Sequence, residues 1–280
     1  MSGKLYVVAT PIGNLADISL RAIEVLKQVD VIAAEDTRQT RLLLQHYAIN
    51  KPLLSLHQHN EDKISQQLID RISSGESIAL VSDAGTPLLS DPGLPLVQLA
   101  RQQQLEVSPI PGACALIAAL SVSGLALSRF SFEGFLPRTS SARKSFFAHK
   151  LGDASTWAFY ESSHRIQAAL EDMLTIFPAQ HQIVIAREIT KLHETIIKDT
   201  LEGLLNKVST DENMRKGEFV VIVDGNPQQD DQNQVNDEQR RVLSLLLKEC
   251  SIKTAAALAA EITGQRKNLL YQVALELQQQ

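Results

Sequence analysis

Thr10-Pro11-Ile12-Gly13-Asn14, Ser82-Asp83-Ala84-Gly85-Thr86-Pro87 and Pro111-Gly112-Ala113 are three short segments built alike, from proline, glycine and small side chains. Pro11, Pro87 and Pro111 lack an N–H, so carbonyls are in excess along these segments, which suits a ligand carrying positive rather than negative charge, such as a sulfonium. The chain has no G-x-G-x-x-G and no G-x-x-x-x-G-K-[ST], the backbone cradles for a pyrophosphate or a triphosphate. Taken singly, each segment is an ordinary strand-to-helix turn. Three of them, each following an apolar run, describe the rim of a nucleotide-sized pocket at the carboxyl edge of an open α/β sheet.

Other residues carry charge or ring nitrogen at informative spacing. Asp36 ends an apolar run where a dinucleotide fold puts a ribose-binding acid, and Arg38 beside it could meet a phosphate bidentately; an internal ion pair, with Thr37 capping the next helix, accounts for the same residues. His57-Gln58-His59-Asn60-Glu61 contains H-x-H with a carboxylate but no further ligand at metal spacing, so no metal is assigned; Asn60 is expected to cap the following helix, with His57 on the rim. Residues 138–150 hold Arg138, Arg143, Lys144 and Lys150 without an acid, with Phe146 and Phe147 among them. Such a stretch can track a phosphate backbone, or its rings can anchor a helix in the core. Arg266 and Lys267 form a second basic turn.

The elements that must hold these residues follow from hydrophobic periodicity. Apolar runs at 5–9, 31–34, 53–56, 78–81 and 105–110 predict strands, while Ile18, Ala22, Val25, Leu26 and Val29 share one helix face, as do Ile64, Leu68 and Ile72. This alternation implies a mostly parallel sheet covered on both faces, over residues 1–120. Small apolar residues at 112–125 predict a helix packed closely on several sides. From 121 to 225 the runs at 156–160, 183–186, 195–197 and 219–223, with one amphipathic helix carrying Ile166, Leu170, Leu174 and Phe177, predict a mixed or antiparallel sheet in an α+β domain. The polar stretch 226–236 reads as a linker. Residues 237–280 read as a small helical tail, with Val242, Leu245 and Leu246 on one stripe and two helices, 254–262 and 268–277, around Thr263-Gly264 like a helix-turn-helix.

With 280 residues, 44% of them apolar, the chain has material for two cores and an appendage. A net charge of −5 argues against indiscriminate binding to nucleic acid or anionic membrane, so any RNA contact must use local cations. Cys114 and Cys250 lie far apart without ligand spacing, which predicts neither a disulfide framework nor a zinc site. No apolar run approaches the roughly 20 residues of a membrane span, and the stretch before Pro11 is too short for a signal peptide, so a cytoplasmic protein is expected.

Nine segments, TPIGNLADIS (10–19), AEDTRQT (34–40), LHQHNE (56–61), ALVSDAGTPLLSDPG (79–93), PIPGACA (109–115), FEGFLPR (132–138), FYESSHR (159–165), AREITK (186–191) and RKGEFVVIVDG (215–225), stand in characteristic order and spacing. In them the chain resembles the bacterial ribosomal RNA small subunit methyltransferase I family from about residue 5 to 225, and more loosely in the tail; Ala113-Cys114 is the visible departure. The resemblance implies an α/β protein with two α/β domains of the tetrapyrrole methylase, or class III methyltransferase, type, the cofactor cleft between them, and a small C-terminal helical segment. It further implies S-adenosylmethionine as cofactor, 2′-O-methylation of a cytidine in the decoding region of 16S rRNA, the small ribosomal subunit or its rRNA as partner, and a homodimer, with no metal or membrane. Pro11, Asp83, Ala84, Gly85, Thr86, Pro87, Pro111, Gly112, Ala113 and Ala115 would lie along the cofactor, with Phe159 and Tyr160 in the second-domain wall. With RNA as substrate, Asp36, Arg38, His57, Arg138, Arg143, Lys144, Arg187, Arg266 and Lys267 are expected on its side. A sulfonium is already a good leaving group, so alignment and removal of the hydroxyl proton remain to be done. Glu161 and Lys191 are candidates for the latter, although an interdomain salt-bridge network with Arg187 and Glu188 explains them equally well. Two alternatives stay open: a tetrapyrrole-precursor methylase of the same fold, and a non-catalytic RNA-binding module.

Overall fold

The computed structural model describes residues 3–225, 235 and 237–278. The expected linker at 226–236 therefore lies, apart from Val235, outside the described residues. Contacts divide the chain into one unit of residues 1–149 and 156–224 and a second of residues 150–155 and 225–280.

The first unit begins with five strands, β1 (Lys4–Val8), β2 (Val31–Ala34), β3 (Leu53–Ser55), β4 (Ile78–Val81) and β5 (Glu106–Ile110), alternating with helices α1 (Leu20–Gln28), α2 (Thr37–His46), α3 (Glu61–Ser73) and α4 (Leu94–Gln102). The sheet order is β3-β2-β4-β1-β5 and every pairing is parallel. Strand residues alternate between faces. Ile32, Ala34, Ala79 and Val81 pack with Ala22 and Leu26 of α1 and Leu44 of α2, whereas Ala33, Ile78 and Leu80 pack with Leu68 and Ile72 of α3 and Leu96 and Ala100 of α4. Both faces are covered, which is why these strands are continuous apolar runs.

After α5 (Ala115–Val122) comes a second sheet of β6 (Phe130–Phe135), β7 (Thr156–Ser162), β8 (Gln182–Arg187), β9 (Thr195–Thr200) and β10 (Glu218–Val223), in the order β6-β7-β10-β8-β9. Only β6 and β7 run parallel, so the sheet is mixed. Leu116, Ala119 and Leu120 of α5 pack on Ala158, Val184, Ala186, Val220 and Ile222. The expected domain boundary at 120 thus falls inside a helix that belongs to the core of the second sheet. That helix also leaves Ile117 and Val122 exposed, so it is not enclosed on all sides. Three helices accompany the strands instead of one: α6 (Ser140–Lys150), α7 (Ile166–Leu174) and α8 (Leu201–Thr210). The basic stretch at 138–150 is mostly α6, whose pattern was masked because its apolar anchors are confined to Phe146 and Phe147, in ring contact with Trp157.

In the second unit, α9 (Asp237–Leu246), α10 (Ile252–Thr263) and α11 (Lys267–Gln278) close around Leu243, Ala255, Ala256, Ala259, Leu270, Val273 and Ala274. Leu243 is the fully buried residue of α9, while Leu245 of the expected stripe is exposed. Ser251 caps α10 by accepting from the Thr254 N–H, and Gly264, at φ 74°, ends it in the left-handed conformation. No helix among the described residues is long and apolar enough to cross a membrane.

One buried ion pair joins α6 to α7. The Asp172 carboxylate accepts from Ser140 Oγ at 2.6 Å and from Arg143 Nε at 2.8 Å, with Arg143 Nη2 at 2.6 Å. Burial opposes its charge, but these hydrogen bonds outweigh burial and hold its pKa below the usual aspartate value. Removing one partner strands the other charge in the interior, so Asp172→Ala is expected to lower unfolding free energy by about 3 kcal/mol in a urea titration. A loss under about 1 kcal/mol would contradict this role for the pair.

Candidate active site

The carboxyl ends of β1, β4 and β5 are joined to each other by their own backbones. Thr10 and Gly85 exchange two hydrogen bonds, N to O at 2.9 Å and O to N at 3.0 Å, forming a short antiparallel bridge between the loops after β1 and β4. Gly85 sits at φ 81°, a conformation that disfavours any residue with a Cβ. Thr86 Oγ1 then donates to the Ala113 carbonyl at 3.1 Å, tying the β4 loop to the β5 loop. On the other side Gly13 lies so close to the loop after β8 that a Cβ there would be 2.4 Å from Lys191 Cγ. The three Pro- and Gly-rich segments therefore converge, as their shared composition anticipates.

Between these loops and the second sheet lies a cavity of about 310 Å³. Of the residues expected along a cofactor, Ala84, Gly85, Thr86, Ala115 and Tyr160 line it. Pro11, Asp83, Pro87, Pro111, Gly112 and Ala113 belong to the same loops but do not line it, and Asp83, Pro111 and Gly112 are exposed to solvent. Asp83 Oδ1 accepts from the Asp36 N–H at 2.8 Å and so ties the β4 loop to the end of β2. Phe159 points to the opposite face of β7, fully buried and stacked on Trp157 at 5.6 Å. Adjacent strand residues face opposite ways, and of this pair Tyr160 lines the cavity while Phe159 does not.

The lining also brings in Asp91, Cys114, Phe135, Glu161, Glu188 and Lys191. Asp91 was not singled out by sequence; its signal is the SDPG that precedes α4, where it reads as a helix-start residue. Burial first, and then the nearby Asp83 charge, pushes its carboxyl up to about 6. Glu35, at the end of β2, is raised by burial and by the same group of carboxylates. Tyr160 is raised to about 12, chiefly by burial, and stays a neutral phenol. Lys191 Nζ is held between Glu188 Oε1 and Glu218 Oε2, both at 2.9 Å. Burial works against its charge, but the two carboxylates outweigh burial and raise its pKa, so Lys191 is a protonated ion-pair partner and cannot accept a proton as expected. Glu161 Oε1 accepts from the Ser162 N–H at 2.8 Å, while Oε2 is buried beside Arg165 Nη2 at 3.2 Å. Burial raises its pKa.

The cations and other residues expected on an RNA surface separate into outward and inward groups. Arg138 is exposed, and its side chain makes no hydrogen bond or ion pair among the described residues. Lys144 is partly exposed at the edge of the Asp172 pair. Arg143 is buried in that pair and does not reach solvent. Arg187 is also buried, donating to the carbonyls of Lys216 and His193 at 2.6 and 3.1 Å, so it fixes the β8–β9 turn. Asp36, not Thr37, caps α2, accepting from the Arg38 N–H and pairing with its guanidinium at 2.7 Å; that guanidinium holds Asp36 down at about 2. His57 is half-buried and its Nδ1 accepts from the His59 N–H. Asn60 stands at the N-cap position of α3 as expected, but its side chain bonds Ser55 and His57 instead of capping the helix. Arg266 and Lys267 lie in the second unit, exposed at the start of α11.

Residues 4–205 match the tetrapyrrole (corrin/porphyrin) methylases, and residues 233–278 match the RsmI C-terminal HTH domain. The chain is 53% identical over 269 residues to ribosomal RNA small subunit methyltransferase I of Xylella fastidiosa, covering 96% of this chain and 98% of that protein. It is 49% identical over 275 residues to the protein of the same name from Haemophilus influenzae, covering 98% and 97%. Among solved structures, uroporphyrin-III C-methyl transferase from Thermus thermophilus, in complex with S-adenyl homocysteine, matches with a TM-score of 0.53 at 15% identity, over 79% of this chain and 97% of that one, a likeness of fold. With converging loops on a parallel sheet, a cavity closed by a second sheet and these relatives along almost its whole length, the chain belongs to the ribosomal RNA small subunit methyltransferase I family, its larger part a tetrapyrrole methylase domain.

Proposed function

We propose that this protein uses S-adenosylmethionine to methylate the ribose 2′-hydroxyl of a cytidine in the decoding region of 16S rRNA. The observation that carries the reading is the cavity itself: its rim loops are poor in N–H donors, its walls include the small residues Ala84, Gly85 and Ala115, and its lining cation, Lys191, is neutralised by two carboxylates. A folded, positively charged sulfonium with a flat base fits such a donor set, and a pyrophosphate does not. When bound, S-adenosylmethionine supplies an electrophilic methyl group.

The remaining work falls to this chain. The loops carrying Ala84, Gly85 and Ala115 let a ligand approach the backbone closely. Tyr160 and Phe135, with ring centroids 5.7 Å apart, form an aromatic wall of the cavity. Asp91 accepts the hydroxyl proton: it is half-buried, lines the cavity, and its pKa near 6 leaves it ionised at neutral pH yet more basic than an ordinary aspartate. Glu161, whose Oε2 is buried against Arg165, is a wall residue. Arg138 and Lys144 meet the RNA backbone from the first unit, and Arg266 and Lys267 do so from the tail. The active form is a homodimer in the cytoplasm.

Four outcomes test this reading. Nucleoside mass spectrometry of rRNA from cells lacking the protein should show one missing 2′-O-methylcytidine; an unchanged profile would remove the assigned substrate. Gly85→Val should abolish heat of S-adenosylmethionine binding in calorimetry while leaving the protein folded, and undiminished affinity would contradict the loop assignment. Asp91→Asn should lower kcat by about 10²–10⁴-fold with cofactor affinity kept. The base must be ionised, so wild-type kcat/KM should fall about tenfold per pH unit below 6 and level off above it; a flat profile from pH 5 to 8 would rule Asp91 out as the base.

A further inference from the structure

Three consecutive carbonyls, those of Leu136, Pro137 and Arg138, leave β6 with no strand or helix to receive them. Two arginines do so instead. Arg165 Nη2 donates to Leu136 O at 2.7 Å and to Pro137 O at 2.9 Å. Arg143 Nη1 donates to Arg138 O at 2.9 Å and approaches Pro137 O at 3.5 Å. Arg143 is committed elsewhere as well, through the buried Asp172 pair that joins α6 to α7. Arg165 has an ion-pair partner as well, Glu161. It stands just before α7, its Nη2 is 3.2 Å from the Oε2 of Glu161, and Glu161 has a wholly buried carboxylate in the cavity lining. Arg165 Nε and Glu161 Oε2 have no hydrogen-bond partner, so geometry at this pair has been given up in favour of the two carbonyls.

The strapped loop connects the cavity to the outside. Phe135, immediately before it, lines the cavity and packs edge-on against Tyr160. Arg138, at its end, is exposed, and its guanidinium has no partner among the described residues. Gly134 lies 3.5 Å, at the position of a Cβ, from Ser90 Oγ, one residue from Asp91. The loop thus runs from the cavity wall, beside Ser90 and Asp91, to the exposed Arg138.

We infer that Arg165 is a positioning residue for the polynucleotide: by holding the carbonyls of Leu136 and Pro137 against the wall residue Glu161, it fixes Arg138 where a backbone phosphate of the substrate strand must lie when the target ribose enters the cavity. This inference rests on the RNA-methylating function proposed above. Both bonds leave one nitrogen, Nη2, at the far end of the guanidinium, a point that the shorter lysine side chain does not reach from the same backbone position.

The experiment is a double-mutant cycle on the full chain with a small-subunit rRNA substrate. Arg165→Lys and Arg138→Ala should each raise KM for RNA about tenfold, one charge-assisted contact, with S-adenosylmethionine affinity and thermal midpoint unchanged. The double variant should be no worse than either single one, because a misplaced Arg138 and a missing Arg138 are the same loss. Additive effects of about a hundredfold in the double variant, or an Arg165→Lys enzyme with normal KM, would overturn the proposal. Should Arg165→Lys fail to fold, Arg165→Gln, which keeps one donor for a carbonyl, is read in the same cycle with the same two outcomes. If the wild-type protein methylates no RNA, the functional reading itself has failed, a result distinct from additivity in the cycle.

Discussion

The structure of the site depends on one short piece of backbone pairing, the Thr10–Gly85 bridge. Parallel strands deliver their loops to the same edge but do not join them, because the ladder ends where each strand ends. Here the loops after β1 and β4 continue to pair beyond the sheet, in the opposite sense, and the left-handed Gly85 makes the reversal possible. Thr86 passes the constraint on to the β5 loop through Ala113. The close approach of Gly13 to Lys191 extends it to the second sheet, so that one continuous set of contacts frames the cavity. Without that frame the prolines would mark three separate turns.

Charge is distributed accordingly. Carboxylates gather at the carboxyl edge of the first sheet, where burial and the neighbouring Asp83 charge raise the pKa values of Glu35 and Asp91, and the nearby Arg38 and Lys191 are already paired. The inner arginines, Arg143, Arg165 and Arg187, spend their donors on backbone carbonyls that would otherwise be orphaned. A chain of net charge −5 thus combines a cavity edged by carboxylates with exposed cations such as Arg138, whose side chain has no partner among the described residues.

Much of the framework was legible in the sequence. The five strands of the first sheet are visible as apolar runs because both faces are buried, and the rim loops because proline and glycine are required where a strand turns into a helix next to another loop. What could not be read was partnership across distance. Arg143 and Lys144 are neighbours in a basic stretch, yet one is interior and the other at the surface, a difference set by Asp172, 29 residues away from Arg143. Phe159 and Tyr160 could have been separated by strand alternation, but which face would be the cavity depended on α5 covering the Tyr160 side. Asp91 stood inside a segment already recognised as distinctive, and only its burial beside Asp83 shows that it is more than a helix-start residue. Many of these contacts, the Thr10–Gly85 bridge and the Thr86–Ala113 bond among them, involve residues of the nine segments.

The most direct test of the account is a crystal structure of the protein grown with S-adenosylhomocysteine. Difference density is expected between the bridged loops and the second sheet, with the ligand against Ala84, Ala115 and Tyr160 and its sulfur facing Asp91. Ligand density on any other surface, with this cavity holding only solvent, would contradict the claim that the bridged loops were assembled to hold a methyl donor.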